Sequence, residues 1–381
     1  MRLSNKAPSL LKDSCYFCTS TYQLFSILSL AISRKEKADL YIDPQFKDAE
    51  IFAQRIELLG IFDSVFIIDS KKIYSKYISR ESGLINHLQI ARTYFHVNSI
   101  SKIIDCNNAS YKNIFVSSRA FIPRLYILSC YKKKMDVKVY YFDDGVGSYY
   151  GNSALNPSKA DGMVRKVLFG KKALDFDQDR YLMCPEMYKK INGETPYQVL
   201  GIDRFFDHPE YSDYLDKVFV PGKDVGLSES AVILEEISDT FGKKLDDLNA
   251  LYQYTLEAFG PDDLLMKRHP RSKDEKRKGF RYYQKSELPF EILCIRNDMN
   301  KKVLISVGST ALSTPKMITG QEPYVILLYK FIQNEGMNQE PLDHFFMALK
   351  ESYGNPDKVM MPASFDEYKE CVEKILGEIR R

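Results

Sequence analysis

Short apolar runs of strand length alternate with amphipathic stretches of helix length from the first residues onward, and no other feature narrows the fold so far. SCYFCTS reads as a strand and TYQLFSILSLAISRK carries a helical apolar period. ADLYID is a strand again, FKDAEIFAQRIELLG a helix, and SVFIIDS a third strand. This βαβαβ order points to parallel strands, because a parallel neighbour is reached only through a crossover long enough to hold a helix. The alternation continues through a helix near Leu84 to Val97, the strand KNIFVSS, a helix near Ala120 to Tyr131 and the strand VKVYYFD. It loosens over residues 151–225, where Pro157, Gly162, Pro185, Pro196, Pro209 and Pro221 break the period.

A second series follows: strand AVILEE, a helix from about Asp239 to Phe259, strands DLLMKRHP, EILCI and KVLISVG, a helix begun by STALSTPKM, and strand YVILLY. SFDEYKECVEKILGEIRR predicts a terminal amphipathic helix, with Ser364 or Asp366 as N-cap. A chain of 381 residues is long for one core and short for three. The expectation is therefore two doubly wound α/β domains facing a central cleft, 1–222 and 223–363. A C-terminal helix, 364–381, is left to pack back on the first domain. In sheets of this kind ligands bind beyond the carboxyl ends of the strands, so those ends are the places to search.

Composition excludes several classes. The net charge is only +3, and basic residues cluster only in short runs such as Lys132 to Lys134 and Lys273 to Lys278. A nucleic-acid footprint would need more, so no nucleic-acid partner is expected. Seven cysteines, an odd number at scattered spacing with no signal peptide, point to reduced thiols in a cytoplasmic protein. Cys15 and Cys18 have the spacing of a metal or redox pair, but no second pair completes four ligands, and they read as buried strand residues. The most apolar stretch, Leu24 to Ile32, is interrupted by Ser26 and Ser29 and is too short to span a membrane. Peripheral attachment at the inner face of the membrane and a homodimer both stay open.

Three strand ends carry chemistry. The first is Asp143-Asp144-Gly145, where a carboxylate held at a strand end can accept a proton from a hydroxyl. Successive strand side chains point to opposite faces, so one aspartate faces substrate while the other turns back onto the glycine turn. The second is LLMKRHPR, in which His269 is biased to extended backbone by Pro270 and flanked by Arg268 and Arg271, a set suited to an anion. His208-Pro209 lies in a loop without a preceding apolar strand, and His87, His96 and His344 sit in helical patterns; none is assigned a function. The third is Gly308-Ser309-Thr310, an apolar strand running into two hydroxyls and a helix start, without Walker-loop spacing.

Taken in order, FDDGVGS, KRHPR and SVGSTAL, with FCTSTYQ near the start, resemble the bacterial sialyltransferases, most nearly the lipooligosaccharide sialyltransferase family, glycosyltransferase family 52. The resemblance implies a GT-B fold and CMP-sialic acid as donor. It also implies inversion at the anomeric carbon, a galactoside acceptor (α2,3) on a cell-surface glycan, and no cofactor or metal. Asp143 or Asp144 would be the base, with Asp239 as a third candidate. His269 would contact the CMP phosphate and assist its departure, with Ser309 and Thr310 on the phosphate oxygens. Ser20, Gln23, Gly145, Pro270, Arg271 and Gly308 complete the expected substrate contacts. The alternatives are a glycosyltransferase using another nucleotide sugar, such as a UDP-hexose or another nonulosonate, and a non-catalytic glycan- or nucleotide-binding protein.

Overall fold

Both alternating series become parallel sheets in the computed structural model. It describes all residues except 1–10, 78–91, 105–109, 118–120, 150–158, 171–177, 212, 221–224, 237–243, 270–271, 273–274, 285–287, 333–338 and 380–381. The first sheet comprises β1 (Leu11–Cys18), β2 (Ala38–Ile42), β3 (Ser64–Ile67), β4 (Ser110–Val116), β5 (Lys138–Phe142), β6 (Arg180–Leu182) and β7 (Val199–Gly201). Their order is β3-β2-β1-β4-β5-β6-β7, and every pairing is parallel. The second sheet comprises β8 (Ala231–Leu234), β9 (Leu264–Lys267), β10 (Arg281–Tyr282), β11 (Val303–Ser306), β12 (Tyr324–Leu327) and β13 (Val359–Met360). Its order, β10-β9-β8-β11-β12-β13, is also all parallel. Each sheet reverses direction of winding once, between β1 and β4 and between β8 and β11, and such switch points are where ligands bind. Two doubly wound Rossmann-like α/β units are thus what the alternation predicts and what the chain forms.

The units are not simple halves of the chain. One consists of Met1–Pro185 and Asn192–Val218, the other of Glu186–Ile191 and Phe219–Arg381. The boundary expected between residues 222 and 223 falls within 221–224, which lie outside the described residues.

Alternation of side chains along the strands builds the first unit's core as two aromatic rows. On one face Tyr16 stacks on Phe115 at 4.5 Å and Phe115 on Tyr140 at 4.9 Å; on the other Phe17 stacks on Tyr41 and Tyr41 on Phe66, each at 5.1 Å. Cys15 and Cys18 are buried in β1, as their strand pattern predicts. Helix α1 (Thr21–Arg34) follows and is buried from Gln23 to Ile32. A helix apolar nearly all round has to be covered on every side. Part of that cover is Phe206, whose ring stacks on Phe25 at 5.7 Å. Ser29, which interrupts the apolar run, meets its own need by donating to the Phe25 carbonyl at 3.2 Å.

In the second unit two expectations fail. EILCI, read as a strand, lies in the helix Phe290–Arg296. Four apolar residues in a row, Ile292 to Ile295, fit a buried strand or a buried helical turn equally, and here Phe290, Ile292, Leu293 and Cys294 are all buried. The helix expected after KVLISVG is instead a short 3₁₀ turn, Thr310–Ser313, followed by a π turn, Pro315–Thr319. The terminal helix Phe365–Ile379 is capped by Ser364, whose hydroxyl accepts from the Glu367 N–H at 3.2 Å. It packs on the helix Leu245–Phe259 of the same unit through a Thr255–Tyr368 hydroxyl bond and a Tyr254–Tyr368 ring contact. Among the described residues no helix is long and apolar enough to cross a membrane.

Candidate active site

At the end of β5 the two aspartates part. Asp143 is 0 % exposed, and its carboxylate is fully engaged: Oδ1 accepts from the Gly145 N–H at 2.9 Å, while Oδ2 accepts from the Tyr149 hydroxyl at 2.7 Å and the Met183 N–H at 3.0 Å. Burial pushes its carboxyl up from the usual range, against the pull of those donors. The Tyr149 hydroxyl in turn accepts from the Cys184 N–H at 3.1 Å. Asp143 therefore ties the loop after β5 to the end of β6. Gly145 makes this turn at φ +84°, a conformation other residues rarely adopt.

Asp144 points the other way and is only half-buried. Its N–H donates to the Ser148 hydroxyl at 2.8 Å, and its Oδ1 accepts from Gln23 Nε2 at 2.7 Å. Gln23 is held in turn. Its Oε1 accepts from the Thr19 N–H at 2.7 Å and the Thr19 hydroxyl at 3.0 Å. A backbone N–H can only donate, so the amide orientation is fixed and Nε2 must face Asp144. Ser20, the N-cap of α1, accepts from the Gln23 N–H at 3.2 Å. Ser20, Gln23 and Asp144 are thus brought together at the carboxyl end of the first sheet, beside Cys18. Burial, followed by the charges of Asp144 and Asp43, pushes the Cys18 thiol up, so it stays protonated. Asp43, at the end of β2, is itself buried, and burial raises its carboxyl.

The second unit repeats the device with glutamates. Beyond β8 the Glu235 carboxylate accepts from Arg277 Nε at 3.0 Å, and Arg268 Nε lies 3.8 Å away. Its neighbour Glu236 reaches across the switch point to the end of β11. Glu236 Oε1 accepts from the Gly308 N–H at 2.7 Å and lies 3.1 Å from Ser306 Oγ, and the Ser309 N–H also bonds to the carboxylate. Ser309 caps the following 3₁₀ turn, its hydroxyl accepting from the Ala311 N–H at 3.4 Å. The amides of Gly308 and Ser309, expected to meet a ligand anion, are therefore directed at a carboxylate of the chain itself.

His269 follows β9 two residues beyond Lys267 and is half-buried; its carbonyl accepts from the Ser272 N–H at 2.9 Å. Because β8 and β9 are paired neighbours, His269 and Glu236 leave the sheet at the same end. Pro270, Arg271 and Asp239 lie outside the described residues. Sequence reasoning missed Glu236, Tyr149 and Thr19. For Glu236 the signal was present, since LEE repeats at β8 the paired acids that FDD shows at β5. Tyr149 and Thr19 stand only six and four positions from the side chains they hold, but neither belongs to a motif that would single it out. Among the described residues no group of three or more His, Cys, Asp or Glu side chains is arranged to hold a metal ion.

Residues 15–324 match the family model described as Alpha-2,8-polysialyltransferase (POLYST). No curated protein matches the chain. Among solved structures, the glycotransferase of kitacinnamycin is similar over 98% of this chain and 96% of its own, at 9% identity and TM-score 0.48. The glycosyltransferase SnogD from Streptomyces nogalater is similar over 97% and 95%, at 8% identity and TM-score 0.45. The Methanocaldococcus jannaschii UDP-GlcNAc 2-epimerase is similar over 96% and 92%, at 11% identity and TM-score 0.44.

Proposed function

The chain belongs to the alpha-2,8-polysialyltransferase family, and from that membership we propose that it moves sialic acid from CMP-sialic acid to a glycan hydroxyl with inversion, using Asp144 as the base. Asp144 takes the acceptor hydroxyl proton as that oxygen attacks the anomeric carbon. The bond from the anomeric carbon to the CMP phosphate oxygen breaks, and His269 donates to the departing phosphate. Ser309 and Thr310 supply hydroxyls to the phosphate oxygens. CMP leaves with one phosphate, so an imidazole and hydroxyls suffice to meet the developing charge, and the reaction proceeds without a divalent metal.

The observation that carries this reading is the division of labour at the end of β5. Asp143 is fully buried and spends both oxygens on the fold, whereas Asp144 is only half-buried and is oriented by Gln23. A general base needs that combination of fixed position and access.

The family's description favours a sialic acid hydroxyl as acceptor, in an α2,8 linkage, over the galactoside and α2,3 linkage implied by the resemblance to lipooligosaccharide sialyltransferases. The deciding experiment incubates the protein with CMP-sialic acid and labelled galactosides and oligosialosides. A mass gain of one or more sialyl residues with released CMP is expected, on the oligosialosides. Gain only on galactosides reverses the acceptor assignment. Gain only from UDP-sugars overturns the donor, and binding without any gain leaves a glycan- or nucleotide-binding protein.

A further inference from the structure

The donor reading above asks the turn after β11 to receive a phosphate, yet the Gly308 and Ser309 amides are bonded to Glu236. Two anions cannot share one pair of N–H donors at contact distance without strong repulsion in a partly desolvated site. The carboxylate is also not a free arm: it leaves the end of a fully buried strand, and Ser306 Oγ, itself 2.8 Å from the Leu234 carbonyl, holds it at 3.1 Å. What can change cheaply is its charge. Burial already favours the neutral acid, against the pull of the Gly308, Ser306 and Ser309 donors. Protonated, the same carboxyl becomes a donor and can join a phosphate instead of repelling it.

The groups around it suit such a change. From the helix Leu245–Phe259, Tyr252 is close enough for its hydroxyl to feel the Glu236 charge, and that hydroxyl is buried without a hydrogen-bond partner. The adjoining Glu235 is already compensated by Arg277 and lies near Arg268, so it adds little net charge. No cation is paired with Glu236 among the described residues.

We propose that Glu236 is a proton-linked occupant of the donor-phosphate seat. As a carboxylate it holds the Gly308 and Ser309 amides; when a nucleotide phosphate arrives it yields them and takes up one proton from solvent. Glu236 is thereby a positioning residue that sets the pH dependence of donor binding. This rests on the donor reading above, and it reverses the sign that a purely structural or ligand-contacting glutamate would show.

The test is calorimetric binding of CMP to the intact protein and to Glu236→Gln, in buffers of differing ionisation enthalpy, between pH 7 and pH 9. The phosphate of CMP loses its last proton near pH 6, so it is already dianionic in that window. Wild-type affinity should fall with rising pH, toward about tenfold per unit, with net proton uptake. Glu236→Gln should bind about tenfold more tightly near pH 8, with a shallower pH profile than the wild type and correspondingly less uptake. Weaker or equal binding by Glu236→Gln overturns the proposal. Should that variant fail to fold, a flat wild-type profile without proton uptake overturns it equally. Absence of CMP binding in both proteins overturns the donor reading and the coupling together, whereas binding without coupling overturns only the latter.

Discussion

Two adjacent acids at a strand end diverge because the strand's alternation turns one inward and one outward, and their substitutions should diverge in the same way. Asp144→Asn should cut transfer on the order of 10²-fold or more while CMP still binds and the melting temperature holds. Asp143→Ala should instead lower stability by about 3 kcal/mol, since it strands three buried or part-buried donors, and a denaturant titration measures that loss. Unchanged turnover in Asp144→Asn would sink the base assignment. Gln23→Leu removes the amide that orients Asp144 and should reduce kcat by about tenfold with little change in CMP affinity. The sequence makes the pair of acids visible, but not which one is spent on the fold. That choice is made by Tyr149 and by Met183, 40 residues further along the chain. Glu236 went unnoticed for a related reason: its partners, Gly308 and Ser306, are about 70 residues distant.

At the scale of elements, legibility follows length. The long helices and the four- to eight-residue strands near the switch points announce themselves by period, whereas β6, β7, β10 and β13 have three residues or two and no period to read. The helix Phe290–Arg296 was mistaken for a strand although Pro289 stands at its N-cap, a start signal that outweighs the apolar run. One junction of elements makes its own prediction. Between α1 and β2, Glu36 accepts from Arg34 Nε at 2.7 Å, Arg34 Nη2 at 3.0 Å and the Tyr16 hydroxyl at 2.9 Å. Burial pushes the Glu36 carboxyl up, but Arg34, Ser14 and Tyr16 together outweigh it and hold it below the usual carboxylate range. A carboxyl lowered by folding stabilises the protein above its unfolded value, and the gain is lost as pH falls through the lowered one. Glu36→Gln should therefore cost about 2 kcal/mol at neutral pH, a cost that shrinks as pH falls below the usual carboxylate range, as urea midpoints at neutral and acid pH will show.

For the whole molecule, the doubly wound character of both units could be read from the alternation alone, because a parallel sheet cannot be wound without its crossover helices. Chemistry at this scale predicts that transfer persists in excess EDTA, and strict dependence on an added divalent ion would refute the metal-free account. What the alternation hid is the way the units share the chain. Glu186–Ile191 belongs with the second unit, where Lys190 meets Glu351 at 2.6 Å, although residues of the first unit lie on both sides of it. The polypeptide thus crosses over three times, and a single splice near residue 219 would not separate the two bodies cleanly. Anyone building hybrids, pairing the second unit of one relative with the first unit of another, would have to graft that six-residue insert along with the C-terminal portion, or the transplanted unit would arrive with an orphaned seam.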